Sequence, residues 1–319
     1  MKSFLDERSV VFQQLHDEIF AIYPKQAIVQ TAHRLLTDVP KKDASFEEIE
    51  EALDGVLNKT ETFNILLTLL ELDKRLPNDS VLFANMKDPS YNQHRTIAIN
   101  ICDMYGSGAA SFFGYLDCSF KSYFPHYTSK SFLAKGICAL AASAAEVVLT
   151  GSVAKDYVDE NLQLLASRGV QLDHLSQMVH ELQIPYNPTL TLKECEKNVL
   201  GVLRKQQTYH TISLCIDIDT GVESGEFGDQ FQAIVGNDEG LYGVDESVNT
   251  SVSKLYGMIA ITNFGFLDKA KPGIIGELDS DHEGNHCNTF IDDTVCAIVS
   301  AACARLAHNH ANTNSKPKK

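Results

Sequence analysis

Residues Asn263–His308 read NFGFLDKAKPGIIGELDSDHEGNHCNTFIDDTVCAIVSAACARLAH, and the fold turns on how this stretch is interpreted. Asp292 and Asp293 open an Ala-rich helix for which Asn288 or Thr289 is a suitable N-cap, and carboxylates in a first turn are favoured by the helix dipole. Small residues follow (Cys296, Ala297, Ser300, Ala301, Ala302, Cys303, Ala304), so neighbouring helices can approach closely. Upstream, Asp268 precedes Lys271 by three residues. Two adjacent aspartates at the mouth of a tightly packed helix suggest a divalent-cation site. An acidic first turn also arises as ordinary capping, and spacing alone leaves both readings open.

Outward from this stretch the pattern is helical. Val10, Val11, Leu15, Ile19 and Phe20 give an amphipathic helix in residues 1–26, and Ala27–Leu36 gives a second. Ser45 and Glu48 form a capping-box signature for a helix ending near Leu57, and Thr62–Asp73 supplies another. Punctuation at Pro77, Pro89 and Gly106 keeps the elements short. Alternating β-type runs are scarce, so the chain reads as all-α.

The chain then repeats itself. LDGVLNKTETF (Leu53–Phe63) resembles LGVLRKQQTY (Leu200–Tyr209). MYGSGAASFFGYLD (Met104–Asp117) resembles LYGMIAITNFGFLD (Leu255–Asp268), and FLAKGICALAASA (Phe132–Ala144) resembles FIDDTVCAIVSAA (Phe290–Ala302). Three matches in one order predict two related multi-helical bundles from an internal duplication, residues 1–154 and 155–319, joined near Gly151–Asp159. The carboxylates differ between the copies. Asp268 matches Asp117, but Lys271 faces Phe120, Asp292-Asp293 face Ala134-Lys135, and Asp245-Glu246 face His94-Arg95. Ala and Lys cannot hold a divalent cation, so the first bundle reads as a degenerate copy lacking the acidic site.

In the second half, Val244, Val248, Val252 and Leu255 form an apolar helical stripe with Asp245 at its edge. Asp268 and Lys271 can share a helix or turn face before Pro272 bends the chain away. Brought together, Asp245, Glu246, Asp268, Asp292 and Asp293 offer hard oxygen ligands for Mg2+, with the Lys271 ammonium near an anion. That set suits phosphoryl chemistry.

The motifs RGV (Arg168–Val170), NDEGLYGVDESV (Asn237–Val248), YGMIAITNFGFLDKAKPGIIGELD (Tyr256–Asp279) and NTFIDDTVCAI (Asn288–Ile298) carry a family resemblance. From about Leu164 to His308 the chain resembles the phosphatidylglycerophosphatase A-like family, most closely its low-temperature-requirement-C branch. The resemblance implies a bundle of about six helices and a Mg2+-dependent phosphatase converting phosphatidylglycerophosphate to phosphatidylglycerol. It implies Asp245, Glu246, Asp268, Asp292 and Asp293 as metal and catalytic carboxylates, and Lys271 as a phosphate contact. The spanning helices and early Pro-Gly-Thr-type motif of membrane-bound relatives are not found in this sequence.

Composition bounds the partners. The chain has 319 residues, 44% of them apolar, and its most apolar run, Ile137–Ala145, ends at Glu146 and reads as buried helix. Charge within MKSFLDERSVVFQ argues against a signal peptide. Eight cysteines without CxxC spacing read as reduced core residues of a cytoplasmic protein, and Cys296, repeated at Cys138, as a packing residue. A net charge of −15 disfavours nucleic acid and spontaneous adsorption to an anionic membrane. A phosphorylated lipid would then require peripheral membrane contact through a local patch, the basic Asn312–Lys319 tail being one candidate. A soluble phosphometabolite, a non-enzymatic regulatory or interaction role, and assembly into a homo-oligomer are the other expectations. His282, His286, His308 and His310 are expected as loop histidines, and DIDTGVESGEFGD (Asp217–Asp229) as a flexible connection rather than a calcium loop.

Overall fold

The computed structural model describes residues 2–76, 81, 85, 92–128, 131–151, 156–238, 241, 243–280 and 286–313, with side chains from residue 10 to residue 309. The breaks expected at Pro77 and Pro89, His282, the His310 side chain and the tail from residue 314 lie outside them. Every regular element among the described residues is a helix. The chain divides into two compact units, Met1–Val153 and Ala154–Lys319.

The first unit contains α1 (Lys2–Ile22), α2 (Lys25–Asp38), α3 (Phe46–Leu57), α4 (Thr60–Arg75), α5 (Gln93–Asp103), α6 (Ser107–Cys118), a short α7 (Phe120–Tyr123) and α8 (Phe132–Thr150). Helix α8 is its axis. Helices α2 to α6 pack around it, and Phe132 through Glu146 are all buried. The small side chains of ALAASAA permit this enclosure, because five neighbours can touch one helix only where its radius is small. Among the described residues, α8 is the one helix long and apolar enough to cross a membrane, and 83% of its apolar window is buried. Helix α3 starts on the capping box, with Ser45 Oγ accepting from the Glu48 amide and Glu48 Oε2 accepting from the Ser45 amide. In α1, Leu15 and Ile19 are buried while Val10 and Val11 stay exposed, so the apolar face is narrower than the sequence pattern.

The second unit contains α9 (Val158–Ser167), α10 (Leu172–Gln183), α11 (Leu192–Leu203), α12 (Gln206–Glu223), α13 (Asp229–Gly236), α14 (Val244–Lys254), α15 (Met258–Ala270), α16 (Ile274–Ser280) and α17 (Ile291–Thr313). Here α17 is the axis, surrounded by α10, α11, α12, α14, α15 and α16, and buried continuously from Ile291 to Ala304. Two expectations fail. The first part of Asp217–Asp229 is not a connection: α12 continues to Glu223, because Ile212, Cys215, Ile216, Asp219 and Val222 recur at helical spacing and are buried, and only Ser224–Gly228 links it to α13. His308 is not on a loop either, since α17 runs to Thr313.

Each axial helix is capped across space. Asp73 of α4 accepts from the amides of Phe132 (2.7 Å) and Leu133 (2.9 Å). Asp219 of α12 accepts from those of Phe290 (3.2 Å) and Ile291 (2.9 Å). The locally expected caps do other things: Thr289 Oγ1 donates to the Val235 carbonyl, and Asn288 Nδ2 to the Leu278 carbonyl. The Tyr-Gly pairs also share one geometry. Gly106 (φ 99°, ψ −177°) and Gly257 (φ 80°, ψ −170°) precede α6 and α15 in a region that only glycine enters freely. A lysine ammonium lies over each tyrosine ring, Lys59 at 4.0 Å from Tyr105 and Lys205 at 5.7 Å from Tyr256.

Replacing Asp73 by Ala strands two amides at the end of a buried helix. Urea denaturation of the Asp73→Ala chain is expected to show a loss of about 1–2 kcal/mol, and an unchanged midpoint would mean that those amides need no acceptor.

Candidate active site

A pocket of about 360 Å³ opens in the second unit where four helix ends meet. The first turn of α14 brings Asp245 and Glu246, the last turn of α15 brings Asp268, and the end of α16 brings Asp279. The first turn of α17 brings Asp292 and Asp293, and the turn after α13 adds Asp238. Seven carboxylates thus face one ammonium, Lys271. All the residues expected from the sequence line this single pocket; Asp238 and Asp279 join them.

The carboxylates fall into two groups. One oxygen each from Asp245, Glu246 and Asp293 lies within 4.8 Å of the others. Asp245 Oδ1, Glu246 Oε2 and Asp293 Oδ1 are buried and have no hydrogen-bond partner. Asp268 and Asp292 instead engage Lys271. Its Nζ stands 2.5 Å from Asp292 Oδ2, 3.0 Å from Asp268 Oδ1 and 3.6 Å from Asp279 Oδ1. Of five expected metal ligands, three converge and two are held by the ammonium.

Crowding like charges in a buried place has the expected electrostatic result. Burial, then the charges of Asp292 and Asp268, push Asp293 well above the usual carboxylate range. Burial raises Asp292 to about 6, against the pull of Lys271. The adjacent Asp245 carboxyl, then burial, raises Glu246. Burial alone would lower Lys271; its carboxylate neighbours, Asp292 first, outweigh that and raise it. The protein has placed more negative charge here than one ammonium balances.

Local backbone geometry puts Lys271 in position. Helix α15 ends at Ala270, and Lys271 takes the left-handed conformation (φ 43°, ψ 53°), so the i, i+3 pair with Asp268 closes on a turn. Non-glycine residues pay for that conformation. Pro272 cannot continue the helix, and Gly276 lets the next turn come close, since a Cβ there would lie 2.4 Å from the Lys271 carbonyl.

A second layer fixes the first turns of α14 and α17. Asn249 donates to the carbonyls of Asp245 (3.0 Å) and Phe290 (3.1 Å), and its Oδ1 accepts from Thr294 Oγ1 (2.8 Å). Arg168 Nη2, on a side chain only 6% exposed, donates to Glu223 Oε1 (2.7 Å), the Cys287 carbonyl (2.7 Å) and Asn288 Oδ1 (2.8 Å). Burial pushes Asp219 up to about 7 even though it caps α17. The RGV motif contained Arg168, but nothing in its spacing revealed this clamp. Asp219 was hidden in a segment that looked like a loop. Cys296 is buried beside the acidic cluster, which, after burial itself, pushes its thiol far up, as suits a packing residue. His286 is more than half exposed and touches Glu223 at 3.4 Å.

Removing the Arg168 guanidinium leaves Glu223, Asn288 and a buried carbonyl without their shared donor. Arg168→Ala is expected to cost about 2–4 kcal/mol in guanidinium denaturation, and Arg168→Lys to recover only part of it, because the shorter, more strongly hydrated ammonium replaces the guanidinium in a buried place.

Comparison with known proteins bears on this pocket directly. A family model described as phosphatidylglycerophosphatase A matches residues 161–308, a span that contains every pocket residue. The uncharacterized protein YpjQ of Bacillus subtilis is 40% identical over 163 residues, 51% of this chain and 91% of that protein. The uncharacterized protein YutG of the same organism is 40% identical over 149 residues, 47% of this chain and 89% of YutG. The crystal structure of the low temperature requirement C protein from Listeria monocytogenes is 42% identical, covering 48% of this chain and 96% of that one, with a TM-score of 0.46. With its acidic pocket inside the matched span and relatives matched over nearly their whole length, the chain belongs to the phosphatidylglycerophosphatase A family.

Proposed function

We propose that the second unit is a Mg2+-dependent phosphomonoesterase that removes the terminal phosphate of phosphatidylglycerophosphate and leaves phosphatidylglycerol. The observation that carries this reading is the convergence of Asp245, Glu246 and Asp293: one oxygen of each lies within 4.8 Å of the others, and each residue has a buried carboxylate oxygen without a hydrogen-bond partner. Buried acceptors are normally satisfied, so unsatisfied carboxylates gathered in one pocket call for a cation. The donor set is all carboxylate oxygen, with neither imidazole nor thiolate, which suits Mg2+ rather than a softer metal.

When bound, Mg2+ supplies Lewis acidity toward phosphoryl oxygens and lowers the pKa of a coordinated water. The chain's own groups do the rest. Asp245, Glu246 and Asp293 would hold the ion. Lys271 is placed to meet a phosphate oxygen, and it orients Asp268 and Asp292 through its hydrogen bonds. One of those two carboxylates accepts the proton of the attacking water as its oxygen bonds to phosphorus, and the glycerol oxygen takes up a proton as its bond to phosphorus breaks, leaving the alcohol and inorganic phosphate.

A second reading keeps the chemistry and changes the substrate to a soluble phosphomonoester. It is favoured by the net charge of −15, which opposes approach to an anionic lipid surface. Phosphate release from phosphatidylglycerophosphate in detergent micelles, and from small phosphomonoesters, with and without Mg2+, separates the two. Asp292→Ala/Asp293→Ala is expected to lower the rate about 10²–10⁴-fold. A folded wild-type chain that releases phosphate from neither class would instead indicate a regulatory or interaction protein that keeps the fold.

Stability offers an independent check. Asp293→Asn keeps the volume and removes a carboxyl that the fold holds well above its unfolded-state range, a shift that costs stability near pH 7, so it is expected to raise the metal-free melting temperature. Mg2+ at 100 times its Kd is expected to stabilise the wild type by about 2.7 kcal/mol and the variant by much less. Equal stabilisation of both would remove Asp293 from the ligand set.

A further inference from the structure

We propose that the first unit carries a counterpart of the acidic pocket in which two side-chain cations, Lys135 and Arg95, stand where the second unit would hold its metal, closing that unit to divalent cations. The inference rests on the metal reading of the second unit.

The correspondence between the units is set by features outside the pockets. In each, an aspartate from an earlier helix (Asp73, Asp219) caps the axial helix at the same two positions, Phe132 and Leu133 or Phe290 and Ile291. In each, a lysine lies over the tyrosine of a Tyr-Gly pair whose glycine starts the helix bearing Phe-Gly-aromatic-Leu-Asp. Thr62 and Thr208, matched in the sequence repeat, are both fully buried. That register pairs Asp117 with Asp268, Lys135 with Asp293, Arg95 with Glu246, and His94 with Asp245.

The paired positions meet in the first unit too. Lys135, 3% exposed, donates through Nζ to Asp117 Oδ1, and Arg95 donates through Nε to Asp117 Oδ2. Each oxygen of the one retained carboxylate therefore has its own cation. Burial pushes Asp117 up, but the hydrogen bonds from Lys135 and Arg95 outweigh it and hold the carboxyl below its ordinary range. Burial, then Lys135 and Arg95, lowers His94 to about 4, so it is neutral near pH 7. Phe120, at the position of Lys271, has the Lys135 ammonium 5.8 Å above its ring. Of five paired carboxylate positions, one is kept as Asp117, two have become cations, one an imidazole and one Ala134. The scaffold still receives positive charge at this point, but from fixed ammonium and guanidinium groups. Neither has an open coordination position for water or phosphate, so this unit can support the fold without performing the metal's chemistry.

Equilibrium dialysis and thermal melts with Mn2+, a divalent probe for the Mg2+ site, test the assignment on the full chain. The wild type is expected to bind Mn2+. Asp245→Asn/Glu246→Gln/Asp293→Asn is expected to lose all of that binding and its Mn2+-dependent melting shift. Adding Arg95→Glu/Lys135→Asp to that triple variant is expected to restore Mn2+ binding and make melting metal-dependent again. Residual Mn2+ at the wild-type stoichiometry in the triple variant would show a metal in the first unit and overturn the proposal. A folded charge-converted variant without Mn2+ binding would do the same, and should that variant not fold, the triple variant alone decides. A wild type that binds no Mn2+ would instead sink the metal reading of the second unit, and this inference with it.

Discussion

The N-terminus of α17 lies inside the protein, and most of the second unit follows from that constraint. A helix surrounded by six others cannot leave its first amides to water, so a buried acceptor has to reach them. Asp219 does so from α12, more than seventy positions earlier in the chain. Once the first turn is enclosed, Asp292 and Asp293 are enclosed with it, at 3% and 2% exposure. Isolated buried carboxylates are costly enough that they protonate or find a cation. Lys271 meets Asp292; Asp293 has Asp245 and Glu246 as neighbours, and these aggravate its problem. The helix dipole helps both carboxylates, but at the order of a kcal/mol it is too small to balance such a cluster. The acidic pocket is thus a consequence of where the axial helix starts.

The geometry is held by parts that do no chemistry. Asn249 locks the first turn of α14 to that of α17 through three hydrogen bonds, which sets the approach of Asp245 to Asp293. Arg168 gathers the residues just ahead of α17, and Asn288 passes that restraint to α16 through the Leu278 carbonyl. The left-handed backbone at Lys271 turns the ammonium back toward the carboxylates instead of along α15. Each device is a buried, directional interaction of the kind that fixes side chains more tightly than apolar packing alone.

Much of this was legible in the sequence, and what was missed has a common cause. Helical periodicity, the Ser45–Glu48 capping box and the small-residue composition of α8 and α17 are local signals, and the helices they predict are present. Five of the seven pocket carboxylates were legible because they occur as adjacent or i, i+3 groups beside breaks in the apolar pattern, whereas Asp238 and Asp279 were not singled out. Asp219 was not, because its partners are distant amides and its neighbours, Gly221 and Glu223, resemble loop residues. Nor was the true N-cap of α17, since Asn288 and Thr289 were locally plausible and are committed to other carbonyls. Long-range polar contacts leave no periodic trace. Asp268 and Lys271 do meet, as their i, i+3 spacing allows on a helix or turn, with Lys271 just past the end of α15.

The two units also separate what the scaffold requires from what the chemistry requires. The aspartate cap on the axial helix, the glycine that starts the preceding long helix and the lysine over its tyrosine are found in both, so none of them depends on an acidic pocket. The Arg168 clamp ties together the residues just ahead of α17, beside the crowded carboxylates. Crowding of the carboxyls of Asp245, Glu246, Asp292 and Asp293 opposes the approach of the first turns of α14 and α17. Where the negative charge is retained, additional buried hydrogen bonds must hold the helix ends together.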